Sequence, residues 1–109
     1  MVNKLSGLAV TAFLAEKIKD LRIAVIGDVM LDRYFHGEVK RISPEAPVPV
    51  TKINRVKSVL GGATNVAANL AHLECKVFMG GVTGDDDNRV LLERLMDEAG
   101  IDYISSILK

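Results

Sequence analysis

Three short stretches of this sequence combine residue types able to bind a small polar ligand. The first is Gly27-Asp28-Val29-Met30-Leu31-Asp32. Its carboxylates can accept charge-assisted hydrogen bonds from sugar hydroxyls; an ordinary Asp turn is the other reading. The second is Leu60-Gly61-Gly62-Ala63-Thr64-Asn65. Its two glycines let backbone approach a ligand closely. Their amides and a helix N-terminus can cradle an anion or a hydroxyl. Asn65 both donates and accepts. A tight strand-to-helix turn would use the same residues. The third is Gly81-Val82-Thr83-Gly84-Asp85-Asp86-Asp87. Its acids suit a divalent ion, but they suit the start of a helix better.

Other chemistries find no support. Neither a phosphate-loop motif G-x-x-x-x-G-K-[ST] nor a dinucleotide fingerprint G-x-G-x-x-G occurs. His36 and His72 lie far apart without ligand-spaced partners, so no metal site is expected. The single cysteine, Cys75, cannot form an internal disulfide and reads as a buried hydrophobe. That cysteine usage suits the cytoplasm.

The elements that would position these turns follow from pattern. The 109 residues, 49% hydrophobic and 26% charged, suit one globular domain or part of one. With 5% aromatic residues and no Trp, aliphatic side chains must fill the core. Fourteen basic and fourteen acidic residues argue against a nucleic-acid or membrane-surface binder. The apolar run Leu8–Ala15 is too short for a membrane span, which needs about 20 residues. The charge is uneven, however. Arg33, Lys40, Arg41, Lys52, Arg55 and Lys57 face only Glu38 and Glu45 in their stretch. That surplus suits a small phosphorylated ligand or a solvated face.

Residues 7–20 read as a helix capped by Ser6, with Leu8, Ala12, Ala15 and Ile18 on one face. Arg22–Gly27 and Lys76–Val82 read as buried strands, and Ile101–Leu108 begins a third. Gly61-Gly62 opens a helix with core residues Ala63, Val66, Ala67, Leu70 and Ala71. Leu91, Leu92, Leu95, Met96 and Ala99 mark another, closed by Gly100. Between the first strand and first sheet helix lies an excursion. Strands near 32–41 and 50–59 flank an extended loop with Pro44, Pro47 and Pro49. The second of them alternates as a strand with one covered face does. The expected fold is α/β: a parallel sheet with flanking helices and a small β lid. A sheet this thin, ending on a strand, is expected to be part of a larger domain, so 1–109 reads as a partial domain.

The strand-end GDVMLD, the turn GGATNVA and the later GVTGDD together resemble the N-terminal part of the ribokinase-like (PfkB) carbohydrate kinase family. Gly61, Gly62, Ala63, Asn65, Ala67 and Gly84 match its first signature. Glu74 departs from it, standing where Gly or Ser is expected. Arg41–Val50 (RISPEAPVPV) resembles the branch acting on heptose 7-phosphate. The resemblance implies transfer of the γ-phosphate of ATP, with Mg2+, to O1 of that sugar phosphate. It further implies a role in making ADP-heptose for lipopolysaccharide. It assigns Asp32, Gly61, Gly62 and Asn65 to the sugar, and the lid to closure and to a possible homodimer interface. Arg33, Lys40 and Arg41 are candidates for the substrate phosphate by charge and location. The family's Gly-Ala-Gly-Asp segment and catalytic Asp are absent from these residues, so no catalytic residue is expected in them. The alternatives are a related kinase for an unphosphorylated sugar and a non-catalytic module that binds sugar phosphate or dimerises.

Overall fold

A computed structural model describes residues 6–107. Leu108, where the last strand was expected to end, lies outside the described residues, as does the side chain of Lys40.

Strand β1 (Arg22–Ile26) forms on the first β-branched run. Strand β4 (Lys76–Thr83) lies beside it in parallel, and β5 (Asp102–Ile107) adds in parallel on the other side of β4. Helix α2 (Ala63–His72) leads into β4, and helix α3 (Asp87–Glu98) connects β4 to β5. Ala67 of α2 and Leu92 and Met96 of α3 form one cluster with Val77 and Met79 of β4, Ile18, Cys75 and Ile101. The aliphatic core is therefore as expected.

The strands were expected to be buried on both faces, and the structure corrects this. Connections of one hand carry successive helices to the same side of a parallel sheet. Here both helices cover one face, and Ile26, Phe78, Val82 and Ile104 on the other are exposed. Val66 is also exposed and leaves the expected core face of α2.

Ser6 caps α1 (Gly7–Ala12) as expected, its Oγ accepting from the Ala9 amide at 3.1 Å. The helical path widens over Phe13–Lys17 and tightens over Ile18–Asp20. Of the four residues expected on its buried face, only Ile18 is buried; Leu8 is 85% exposed.

The excursion is an antiparallel ribbon of β2 (Val29–Ile42) and β3 (Pro49–Gly62). Both strands run longer than the expected 32–41 and 50–59. Their extra residues form the root of the ribbon, where Val29, Leu31 and Leu60 pack on the core. The alternation of Val50–Val59 does not mark a covered face. Thr51 to Lys57 are exposed throughout, and cover begins only at Ser58. The ribbon projects past the sheet, so nothing among the described residues lies over its outer part.

Glu74 ends the turn after α2 at φ +69°. Its amide donates to Ala71 O at 2.9 Å and that of Cys75 to Leu70 O at 3.2 Å. This is the left-handed cap that favours glycine. The signature's expectation of a small residue at this position is therefore conformational.

Candidate functional site

The site assembles where the ribbon is rooted at the carboxyl end of β1. The chain leaves the sheet through Gly27-Asp28 and returns at Gly61-Gly62 to start α2. Residues paired across the ribbon share a face. Met30 pairs with Gly61, and Asp32 pairs with Val59. Asp32 and Gly61 therefore lie on one face, diagonal to each other.

Gly61 is buried because the Asp32 carboxylate occupies the space a side chain would need. A Cβ there would lie 2.5 Å from Asp32 Cγ and 2.8 Å from its Oδ1. Gly62 is required for another reason. Its φ is +55°, and a Cβ would meet Asp28 O at 2.8 Å. That carbonyl accepts from the Ala63 amide at 2.9 Å. Asp28 thus serves α2 through its backbone, while Asp32 presents its side chain.

The first turn of α2 carries no acidic residue and no side-chain cap. With the Ala63 amide taken by Asp28 O, the Thr64 and Asn65 amides are left without an intrahelical partner on the side of the Asp32 acceptor. Asn65 is exposed in the same first turn. Thr64, fully buried, locks the arrangement. Its hydroxyl donates toward Met30 O at 3.1 Å and toward Gly61 O at shorter range. It ties both ribbon strands to α2. Sequence reasoning passed over Thr64, although a hydroxyl between two glycines and a helix was its signal.

Asp32, Gly61, Gly62 and Asn65 are brought together; the three candidate cations are not. Arg33 follows Asp32 and so points to the opposite face of the ribbon. There it donates to Asn88 Oδ1 on α3, a partner the sequence did not reveal. Arg41 sits nine residues along the ribbon from Asp32, about 30 Å at the rise of a β-strand. Lys40 is the extra residue of a bulge between Val39 and Arg41.

The acidic turn after β4 serves its helix, as expected. Asp86 caps α3, its Oδ1 accepting from the Arg89 amide at 3.0 Å. Asp85 pairs with Arg89 at 3.7 Å. Among the described residues no three His, Cys, Asp or Glu side chains gather as a metal centre. The described residues therefore offer no fitted site for Mg2+. Away from the site, desolvation raises the pKa of Tyr103, and the Glu93 and Asp97 carboxylates add to the effect.

Comparison with known proteins follows the same geometry. The family model for pfkB family carbohydrate kinases matches residues 20–107. A protein of Bordetella bronchiseptica named D-beta-D-heptose 7-phosphate kinase is 53% identical over 87 residues, 80% of this chain and 28% of that protein. The bifunctional protein HldE of a Marinomonas species is 52% identical over 83 residues, 76% of this chain and 18% of that protein. The chain thus spans less than a third of the length of these relatives. Among solved structures, a carbohydrate kinase from Agrobacterium tumefaciens matches with a TM-score of 0.63 at 20% identity, covering 82% of this chain and 28% of that one. A ribokinase from Thermotoga maritima matches with a TM-score of 0.54 at 22% identity, covering 81% and 29%. At these identities the two structures speak for the fold. No helix among the described residues is long and apolar enough to cross a membrane.

Proposed function

This chain belongs to the pfkB family of carbohydrate kinases, and we propose that it forms the sugar side of a cytoplasmic heptose 7-phosphate kinase. The observation that carries this reading is the Asp32 carboxylate held against the side-chain-free Gly61, beside the open first turn of α2. An acceptor, a row of amide donors and the two-way Asn65 amide match vicinal hydroxyls, each of which both donates and accepts. The relatives named for heptose 7-phosphate supply the sugar. In this reading ATP with Mg2+ supplies the phosphoryl group, O1 of the sugar receives it, and the product serves ADP-heptose synthesis for lipopolysaccharide. The residues here bind and orient the acceptor. The ribbon closes over it and excludes water, which protects ATP from hydrolysis. Arg33, Lys40 and Arg41 contribute positive field that draws in the anionic sugar.

The ribbon's second face supports a homodimer. Phe35, Val39 and Ile42 on β2 pair with Val56, Thr51 and Pro49 on β3, and Ile53 lies between them. All are exposed. A second copy of the chain covering this apolar face would bury it. The molar mass in solution tests that arrangement.

Asp32→Asn in the native protein tests the sugar site. Turnover of heptose 7-phosphate should fall about 10- to 100-fold, as when a hydrogen bond to a charged acceptor is lost, with ATP binding retained. Unchanged turnover removes Asp32 from the site.

A further inference from the structure

The ribbon separates its charges by face. On the face of Asp32, β2 contributes Tyr34, His36, Glu38 and Arg41, and their partners on β3 are Lys57, Arg55, Lys52 and Val50. The opposite face carries Arg33 alone among the cations whose side chains are described, and Asn88 takes it. We propose that Lys57 and Arg55 form the phosphate-recognition surface of the sugar site and give the enzyme its preference for a phosphorylated sugar. This inference rests on the kinase reading above and deepens it.

Position is the first argument. Lys57 lies two residues from Val59, the partner of Asp32, and Arg55 lies two further. At the rise of a strand they stand about 7 and about 13 Å along the ribbon from the Asp32 row. That range suits a sugar whose ring hydroxyls meet Asp32 and whose exocyclic chain extends under the lid. Arg41 lies well beyond it.

Charge is the second argument. Glu38 stands opposite Lys52 and offsets it, whereas Tyr34 and His36 stand opposite Lys57 and Arg55. Neither Lys57 nor Arg55 is in an ion pair among the described residues. Two like charges side by side on one face repel. A phosphate dianion between them replaces that repulsion with charge-assisted hydrogen bonds, for which the guanidinium of Arg55 has a matching fork. The Tyr34 hydroxyl is a further donor on the same face.

The test compares heptose 7-phosphate with the unphosphorylated heptose, using the native protein and the K57A/R55A double variant. Both side chains are exposed, so the substitutions leave the packing intact. The expected result is a KM for heptose 7-phosphate raised about 30-fold or more, from two lost charge-assisted bonds. The KM for unphosphorylated heptose and for ATP should stay within about twofold. K57R/R55K should restore most of the preference. An unchanged KM for heptose 7-phosphate overturns the proposal, as does an equal rise for both sugars. A wild-type protein that phosphorylates only the unphosphorylated sugar overturns the proposal and leaves a kinase. One that phosphorylates neither overturns the kinase reading itself.

Discussion

Adding one methyl group at Gly61 should separate binding from folding. In Gly61→Ala the new Cβ would stand 2.5 Å from Asp32 Cγ, with only Asp32 side-chain atoms as its nearest neighbours. Asp32 is exposed, so its carboxylate can rotate away. A forced rotamer change costs about 0.5–1.5 kcal/mol. The displaced carboxylate no longer meets the sugar hydroxyls. One lost hydrogen bond to a charged group is worth about 1.5–3 kcal/mol. Affinity for the sugar phosphate should therefore fall about 10- to 100-fold. Gly62→Ala supplies the contrast. Its Cβ would meet Asp28 O, a backbone atom already bonded to Ala63, at φ +55°. An alanine held at φ +55° with ψ −136°, a region essentially reserved for glycine, adds about 1–3 kcal/mol of strain before that clash is relieved. Isothermal titration with heptose 7-phosphate and urea unfolding should be run on both variants. Gly61→Ala should weaken binding more than it lowers stability, and Gly62→Ala should do the reverse. Wild-type affinity in Gly61→Ala would refute the assignment of the Asp32 carboxylate to the sugar.

Two further outcomes test the frame around the site. Thr64→Val keeps shape but removes the donor shared by Met30 O and Gly61 O. It should cost about 1–3 kcal/mol, read by urea unfolding, and speed hydrogen exchange at the ribbon root; unchanged exchange there would contradict the locking role. Glu74→Gly relieves a non-glycine residue at φ +69° and loses only the exposed pair with Lys19 at 3.3 Å. It should raise stability by about 1 kcal/mol, since surface pairs are worth less than the strain. A lower unfolding midpoint would contradict that balance.

Some of this protein was legible in its residues alone. Local chemistry dictates the β-branched strands, the Ser6 and Asp86 caps and the glycine-led turn into α2, because each depends on neighbours within a few positions. The proposed sugar site at Asp32, Gly61, Gly62 and Asn65 was expected from the family resemblance, and its residue types carry part of that expectation. Glycine placement and a strand-end carboxylate are constraints visible in sequence. Even the odd residue at Glu74 marked a left-handed position.

Register and the routing of chain were not legible, and they decided the rest. Only the pairing of Asp32 with Val59 places Lys57 and Arg55 on the carboxylate's face. The same parity turns Arg33 away to Asn88, 55 residues on. Alternation along Val50–Val59 showed two faces but not what lay over either. A strand's side-chain period is fixed by the backbone, whereas its cover depends on elements distant in the chain. That is why composition could find the basic surplus of the lid, and only the tertiary structure could divide it between the face of Asp32 and the Asn88 anchor.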